Sequence, residues 1–305
     1  MRIAAGGHDL HVLKRCYAAG NLRKCRLIHS HVDPWFVGQC RLAHQRGGPR
    51  WVHTYHTLYF PSDWGGSLED WQREVNDCLL GIAHEADVCI SVSKWLQSLL
   101  KKEHGIETLY VPNGVDVTSC ESARPAGSAG RLPTEGFALF VGSAAAIKNP
   151  MDFVDLAHRF SHVPFVMAGS GLSSAELHST LGSGFPRNLT ALGALPHGAV
   201  LDAIAACRVF VLTSHSEGLP TVLMEAMALG KTVVASDCPG AAEVIGGPEC
   251  GYTYRRGSGE ALADVFREAW TDPSKGEVAR ERAYDVYDWR VVAPQLDEIY
   301  RSLLA

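Results

Sequence analysis

The sequence predicts an α/β protein built from two doubly wound parallel sheets, each in its own domain. Strand-like and helix-like segments alternate along nearly the whole chain, which is typical of parallel sheets with helical crossovers. A segment rich in Ala, Gly, Pro and Ser, residues 121–136, interrupts the alternation once, and the alternation then resumes. The length of 305 residues is sufficient for two domains of ordinary size.

In the first half, apolar runs predict the strands and amphipathic stretches predict the helices. The longest helix carries apolar residues at close to the 3.6-residue period, among them Trp71 and Leu79. The predicted strands are 25–31, 50–57, 87–92 and 108–111, and the predicted helices are 35–45, 68–85 and 94–103. Residues 1–7 either form a further first strand with a glycine turn at Gly6 and Gly7, or that strand is absent.

The second half repeats the same alternation and ends in two helices. The predicted strands are 137–142, 164–168, 189–192, 209–213 and 232–236, and the predicted helices are 150–160, 174–181, 199–206, 221–229, 260–270 and 288–304. We therefore expect an N-terminal domain over residues 1–120, a linker over 121–136 and a C-terminal domain over 137–305. In such sheets ligands bind at the carboxyl ends of the strands, here in a cleft between the domains.

Composition excludes several classes of protein. A net charge of −5 argues against nucleic acid as a main partner. The nine cysteines are dispersed and include no C-x-x-C pair, which favours a reducing compartment. We find neither a secretory signal in the first 20 residues nor an apolar run long enough to span a bilayer. We expect a cytoplasmic protein, with peripheral membrane contact left open.

The most informative segment, residues 214–230, follows a strand and opens a helix. Pro220 suits a helix start, where its missing N–H costs nothing. The N–H groups of Thr221 and Val222 would then be unpaired and form an anion site suited to a diphosphate. Glu217 precedes the helix, and Glu225 lies about one turn inside it, where a carboxylate can accept hydrogen bonds from ribose hydroxyls.

This segment resembles a known family. E-G-L-P-x-x-x-x-E followed by A-x-x-x-G is similar to the E-x7-E signature of the GT-B glycosyltransferases of family 4. The resemblance runs from about His29 to the C-terminus. Four further segments resemble the family in the same order along the chain: Pro112 to Asp116, Val141-Gly142 with Lys148-Asn149-Pro150, Ala168 to Gly171, and Asp288-Trp289 before the last helix, which would cross back to the N-terminal domain.

The resemblance implies a retaining enzyme that moves a sugar from a nucleoside-diphosphate sugar to an acceptor hydroxyl. Glu217 would contact the donor sugar's hydroxyls near the reacting carbon, and Glu225 would hold the ribose. Lys148 would neutralise the phosphates, and the backbone of Thr221 and Val222 would bind the distal phosphate. The leaving diphosphate would help to take the acceptor's proton, so the protein would mainly supply position and positive charge.

The resemblance also assigns residues around the base and the sugar. Leu195 and Pro196 would flank the base, and His56 would reach the sugar and the acceptor, unless it is a hydrogen-bonded core histidine. The implied catalytic residues are therefore His56, Glu217 and Lys148, and the implied donor-binding residues are Gly142, Lys148, Gly169, Gly171, Leu195, Glu217, Gly218, Leu219, Pro220, Thr221, Val222 and Glu225.

The resemblance implies no cofactor and no required metal, because lysine and helix dipoles supply the positive charge. The expected partners are a nucleoside-diphosphate sugar and a sugar, lipid-linked or small-molecule acceptor, consistent with glycan biosynthesis. A catalytically weak homologue that binds nucleotide sugar or glycan as a regulatory or scaffold protein is the main alternative. An epimerase acting on the nucleotide sugar itself is a third.

Two departures from the family pattern bear on activity. The family usually has an arginine after the glycine of the first C-domain loop, where this chain has Ser143. Either Arg187 or Arg255 replaces that charge, or turnover is reduced. The second departure is the short N-domain, since only about 110 residues precede Pro112.

Three groups of residues allow more than one interpretation. The basic residues Lys14, Arg15, Arg23, Lys24 and Arg26 form either a solvated helix face or a docking site for an anionic lipid or acceptor. The aromatic residues Tyr59, Phe60, Trp64 and Trp71 either stack on an acceptor or, for Trp71, pack in the core. The histidines His29, His31, His53 and His56 have no accompanying cysteine cluster or H-E-x-x-H helix, so we expect no metal site there.

Overall fold

A computed structural model describes residues 18–45, 47–64, 66–124, 132–134 and 136–305. The chain divides into two compact units, each built on a parallel sheet. The first comprises the described residues up to Ser62, Gly66–Pro112 and Pro294–Ala305, and the second consists mainly of Asn113–Ala293. The predictions for residues 1–7, Lys14, Arg15 and most of the linker lie outside the described residues.

The first unit has a four-stranded parallel sheet in the order β1-β2-β3-β4. Its strands coincide with the predicted apolar runs and are each shorter by a few residues. The strands are β1 (Leu27–Ser30), β2 (Arg50–Tyr55), β3 (Val88–Ser91) and β4 (Leu109–Tyr110), and the helices are α1 (Ala19–Leu22), α2 (Pro34–His44), α3 (Asp70–Ile82) and α4 (Lys94–His104).

Local signals set the ends of two of these helices. Asp33 caps α2 by accepting from the Phe36 N–H, and Pro34 occupies the first helical position. Ser93 caps α4, and Gly105 ends it in the left-handed region at a φ of 66°. These helices cover the sheet, so Trp51 and Tyr55 of β2 are fully buried.

Helix α3 is shorter than predicted, and Trp71 in its first turn does not reach the core. It begins at Asp70, where Glu69 and Gln72 form a capping box. Leu79 is buried as predicted, but Trp71 is 47% exposed and lies edge-on to the Tyr59 ring, 5.2 Å between centroids. The core-packing alternative for Trp71 is therefore wrong, because its neighbour is a loop residue rather than the sheet.

The described part of the basic cluster is not a helix face. Helix α1 ends at Leu22, before Arg23, Lys24 and Arg26. Arg23 donates to the Leu42 carbonyl and Arg26 to the Leu304 carbonyl, both at 3.0 Å. The interpretation as a solvated helix face is therefore wrong for these residues, two of which tie chain segments together.

The second unit has a six-stranded parallel sheet in the order β10-β9-β8-β5-β6-β7. Strands β5 and β8 are neighbours in its middle, paired at Ala138 with Val209. The strands are β5 (Ala138–Val141), β6 (Phe165–Ala168), β7 (Leu189–Ala191), β8 (Val209–Leu212), β9 (Thr232–Ser236) and β10 (Tyr252–Tyr254).

Helices alternate with the strands in this part of the chain, and the last of them has residues in both units. They are α5 (Val117–Glu121), α6 (Pro150–Arg159), α7 (Ser174–Leu181), α8 (His197–Ala206), α9 (Thr221–Ala228), α10 (Pro239–Ile245), α11 (Gly259–Thr271), α12 (Lys275–Tyr287) and α13 (Trp289–Leu304). Strand β10 and helices α5, α10 and α12 were not predicted from the sequence. Helix α12 buries mainly small residues such as Ala279 and Ala283, so it has only a weak apolar period.

The division between the units falls after Pro112, whereas the sequence placed the end of the first domain near residue 120. The backbone explains this position: the Val115 N–H donates to the Tyr287 carbonyl at 2.7 Å, and the Trp289 N–H donates to the Val115 carbonyl at 3.1 Å. These bonds hold the segment before α5 within the second unit. Helix α13 begins in the second unit, and its residues from Pro294 onward group with the first.

No helix among the described residues is both long and apolar enough to cross a membrane.

Candidate active site

The candidate site lies where the loops after β5 and β8 meet. These two strands are parallel neighbours, so their carboxyl ends share one edge of the sheet. Three hydrogen bonds tie the loops together: the Thr213 hydroxyl donates to the carbonyls of Asn149 at 2.7 Å and Lys148 at 3.2 Å, and the His215 N–H donates to the Ile147 carbonyl at 2.8 Å. The short 3₁₀ turn that carries Lys148 is therefore fixed against the loop that carries Glu217.

Lys148 and Glu217 form an ion pair across these loops. The Lys148 Nζ lies 2.7 Å from Glu217 Oε1 and 2.8 Å from Oε2. The Ser214 hydroxyl donates to Oε1 at 2.7 Å. Only 9% of the Glu217 side chain is exposed, against 32% of the Lys148 side chain. A buried carboxylate needs such partners, because an unpaired charge in this position would be costly.

The backbone of the Glu217 loop is held from two other segments. An ideal Cβ on Gly240 would lie 2.3 Å from the Glu217 carbonyl oxygen and 2.5 Å from that of Gly218, so only glycine lets α10 approach this closely. The Asn113 side-chain amide donates to the Leu219 carbonyl at 3.0 Å. The sequence analysis missed both contacts, although Asn113 belongs to the Pro112-to-Asp116 segment that it singled out.

Helix α9 begins at Thr221 as predicted. Pro220 occupies the N-cap position with a φ of −72°, and no side chain caps the helix. The first N–H groups, including those of Thr221 and Val222, have no carbonyl of their own helix to bind. Together with the helix dipole, they give this helix start a positive potential directly after Glu217.

Glu225 lies one turn inside α9 and is hydrogen-bonded to His197. Its Oε1 is 2.7 Å from His197 Nε2, and 13% of the Glu225 side chain is exposed. Burial raises the pKa of Glu225, and the hydrogen bond from His197 opposes that shift. His197 begins α8, directly after Leu195 and Pro196, so the segment predicted to flank the base lies beside the carboxylate predicted to hold the ribose.

Glycines allow the loops after β5 and β6 to come close together. Gly169 has a φ of 147°, and a Cβ there would lie 1.4 Å from the Gly142 carbonyl oxygen. Gly171 has a φ of 78°, and a Cβ there would lie 2.7 Å from the Ala144 Cβ. The glycines therefore let the loop after β6 pack directly against the loop that leads from β5 to Lys148.

Arg187 does not lie with the other site residues. It precedes β7 and is therefore at the amino end of the sheet, the edge opposite the site. Arg255 follows β10 at the carboxyl edge, but its neighbour Arg256 makes the contact to the site: its Nη1 donates to the His215 carbonyl at 2.7 Å. The sequence analysis had singled out Arg255 and not Arg256.

In the first unit, His56 follows β2 and His31 follows β1. His31 Nδ1 lies 2.8 Å from His56 Nε2. Burial and the neighbouring His31 lower the pKa of His56 to about 4. His29 and His53 bond to other groups, His29 to the hydroxyls of Thr54 and Tyr300 and His53 to that of Ser30. Among the residues that the structure describes, no group of three or more His, Cys, Asp or Glu side chains is arranged to hold a metal ion.

Comparisons with known proteins give the family models and the relatives that this chain resembles. The family model described as glycosyl transferases group 1 matches residues 128–286, and the model described as glycosyltransferase family 4 matches residues 4–119. The alpha-maltose-1-phosphate synthase of Mycolicibacterium smegmatis is 28% identical over an alignment of 315 positions, gaps included, which covers 93% of this chain and 81% of that protein. The phosphatidyl-myo-inositol mannosyltransferase of Mycobacterium leprae is 29% identical over an alignment of 308 positions, which covers 90% of this chain and 77% of that protein.

Solved structures show the same fold at low sequence identity. A sucrose-phosphate synthase from Thermosynechococcus elongatus matches with a TM-score of 0.77 at 22% identity, covering 92% of this chain and 74% of that one. Anabaena HepE in complex with UDP and glucose matches with a TM-score of 0.76 at 20% identity, covering 97% and 83%. The glycosyl transferases group 1 model alone matches just over half of the chain. The chain therefore belongs to the glycosyltransferases of family 4, has their two-domain GT-B fold, and is a glycosyltransferase.

Proposed function

We propose that this glycosyltransferase moves a sugar from a nucleoside-diphosphate sugar to an acceptor hydroxyl with retention of the anomeric configuration. The observation that carries the proposal is the Lys148–Glu217 pair beside the open start of α9, with Glu225 one turn further on. These groups supply, in order, a cation, a carboxylate, an anion-binding helix start and a second carboxylate. Such a series is complementary to the phosphates and the hydroxyl groups of a nucleoside-diphosphate sugar.

The diphosphate is proposed to lie between Lys148 and the N–H groups of Thr221 and Val222. A phosphate would compete with the Glu217 carboxylate for the Lys148 ammonium. Glu217 would then accept hydrogen bonds from the sugar's hydroxyls while Ser214 continues to orient it. Positive charge aimed at the leaving diphosphate stabilises it as the bond to the sugar breaks. We propose that the leaving group itself takes the acceptor's proton and that no metal is required.

The nucleoside is proposed to lie at Glu225, with its ribose hydroxyls donating to that carboxylate. Leu195 and Pro196 lie directly before His197, which contacts Glu225. These residues would flank the base. Anabaena HepE was solved with UDP and glucose, so UDP-glucose is the first donor to test. A mannosyl donor is the second, because the Mycobacterium leprae relative is a mannosyltransferase.

We propose that His56 acts at the donor sugar and the acceptor. The support is its place in the Thr54-Tyr55-His56-Thr57 segment and its position directly after β2, where functional groups of parallel sheets collect. A lowered pKa keeps His56 neutral at pH 7, so it can donate and accept hydrogen bonds without adding charge. The acceptor is proposed to be a sugar, a lipid-linked sugar or a small molecule with a free hydroxyl.

Thermal unfolding with a panel of nucleoside diphosphates and their sugars tests the donor site. A ligand at 100 times its dissociation constant stabilises by about 2.7 kcal/mol, which raises the midpoint by several degrees. We expect nucleotides of one base to raise the unfolding midpoint of the wild type. This rise should be lost in Glu225→Ala and kept in Glu281→Ala, which changes an exposed glutamate of α12. The anomeric configuration of the product, read by NMR, tests retention. The absence of a shift with any nucleotide would contradict the proposed donor site.

A further inference from the structure

In the first unit, the hydrogen bond between His31 and His56 couples the protonation of the two rings. Imidazoles have two nitrogens, and a neutral ring carries one proton. Because His31 Nδ1 and His56 Nε2 lie 2.8 Å apart, one of them must donate and the other must accept. The proton state of one ring therefore determines that of the other.

Two arrangements satisfy this bond when both rings are neutral. If His31 Nδ1 carries the shared proton, His56 is protonated at Nδ1 and presents a donor there. If His56 Nε2 carries it, His56 Nδ1 is a bare acceptor. An isolated exposed histidine exchanges between these forms independently, whereas in the hydrogen-bonded pair the two rings must change tautomer together.

The surroundings hold His31 in place. Its ring stacks on His29, with 4.6 Å between centroids and 24° between planes. His29 is itself fixed at both nitrogens, by the Tyr300 hydroxyl at 2.5 Å and the Thr54 hydroxyl at 2.7 Å. The chain of contacts therefore runs from Tyr300 of α13 through His29 and His31 to His56. Such supporting contacts hold a functional group in one orientation.

We infer that His31 is a positioning residue for His56: its hydrogen bond ties the tautomer of His56 to that of His31, so that one arrangement prevails and decides whether His56 Nδ1 meets the substrate as a donor or as an acceptor. The catalytic consequence rests on the proposed function of His56, whereas the tautomer itself does not. The titratable groups that face the pair are His29, His53 and Tyr300. Burial lowers the pKa of His29 to about 4 and that of His53 to about 3, so neither adds a positive charge beside the pair at pH 7.

The first test uses the full chain with no substrate. Long-range proton–nitrogen NMR of protein labelled with ¹⁵N-histidine separates protonated from bare ring nitrogens, and a His56→Asn variant assigns the His56 signals. We expect one fixed tautomer for His56 in the wild type. His31→Phe keeps a ring to stack on His29 but has no nitrogen, so His56 should become a mixture of tautomers. An unchanged His56 spectrum in His31→Phe, or a mixture already in the wild type, would overturn the inference.

The second test measures turnover and includes a rescue variant. We expect His31→Phe to lower kcat by about 100-fold, the size of effect that a small misplacement of a catalytic group produces, with the donor KM nearly unchanged. His31→Asn places an amide where Nδ1 stood, keeps the hydrogen bond and should restore most of kcat. His104→Phe, an exposed histidine at the end of α4, is the control and should retain wild-type turnover. Equal losses of kcat in His31→Phe and His31→Asn would contradict a role of His31 through its hydrogen bond to His56.

The two tests separate this inference from the proposed function. If the wild type binds no nucleotide in the thermal assay, the proposed donor site fails, yet the NMR result still decides whether His31 sets the tautomer. If nucleotides bind and His56 keeps one tautomer without His31, the proposed function stands and the inference fails. A pH profile of kcat that moves in His31→Phe but not in His104→Phe would support positioning over a general loss of stability.

Discussion

The Lys148 ammonium lies within hydrogen-bonding distance of both oxygens of the Glu217 carboxylate, at 2.7 and 2.8 Å, although the two residues are 69 positions apart in the chain. The pair joins the loop after β5 to the loop after β8. It places a cation and a nearly buried carboxylate next to the start of α9. The proposed donor chemistry depends on this arrangement, and four predictions follow from it and its surroundings.

Removing the cation should cost more stability than neutralising the carboxylate. Lys148→Ala leaves Glu217 with the Ser214 hydroxyl as its remaining partner among the described contacts, and we expect a loss of about 1–3 kcal/mol. Glu217→Gln keeps the shape and should change the free energy of unfolding less, while abolishing transfer. Urea unfolding and a transfer assay measure the two effects. Lys101→Ala, an exposed lysine of α4, should stay within about 0.5 kcal/mol of the wild type. Equal losses in Lys148→Ala and Lys101→Ala would show that the pair is not a structural contact.

Gly240→Ala should displace the Glu217 loop. The added methyl group would lie 2.3 Å from the Glu217 carbonyl oxygen, so loop or helix must move. We expect a destabilisation of about 1–3 kcal/mol and weaker nucleotide binding in the thermal assay. Gly38→Ala, in open space within α2, is the matched helical control and should be neutral or stabilising by about 0.5–1 kcal/mol. Wild-type stability and nucleotide binding in Gly240→Ala would contradict the close approach of α10.

Glu225→Gln should change how stability depends on pH. Burial raises the pKa of Glu225 in the folded protein above its unfolded value, so the folded state binds this proton more tightly. The wild type therefore loses stability as pH rises from the unfolded pKa through the folded one, and the glutamine variant lacks that loss. Relative to the wild type, the variant should gain stability between about pH 4 and neutral pH. Denaturant unfolding across this range measures the difference, with Glu281→Gln as an exposed control. A difference that does not vary with pH would contradict the prediction.

Arg256→Ala should weaken donor binding, and Arg255→Ala should not. Arg256 donates to the His215 carbonyl at 2.7 Å and so supports the loop that carries Glu217. Loss of this exposed hydrogen bond should lower the free energy of unfolding by about 0.5–1.5 kcal/mol. It should also reduce the rise in the thermal unfolding midpoint that the nucleotide produces. Its neighbour Arg255 provides the matched control with the same change in charge. If Arg255→Ala reduces nucleotide binding and Arg256→Ala does not, the earlier alternative of Arg255 as the additional phosphate-binding residue gains support.

Local patterning was enough to predict the strands that carry the site and the starts of α6 and α9, whereas α8 begins at His197, two residues before its predicted start. The apolar runs that predicted β5 and β8 are buried strands, and α9 begins at Thr221 as its Pro220 signal indicated. Gly169 and Gly171 stood out because they follow the end of a predicted strand, and Gly142 stood out through the family resemblance. Helix α12 and strand β10 were missed because short elements and helices packed through alanine give little periodicity.

The sequence by itself determined the fold class, the family and the segments in which the site is proposed, because these depend on neighbours a few positions apart along the chain. The tertiary structure decided which of those residues meet: Lys148 with Glu217, His197 with Glu225, and His31 with His56. Each contact joins loops or helices from different strands of one sheet, and the order of the strands sets which of them become neighbours. That order results from packing the whole domain, so no local pattern in the chain reveals it.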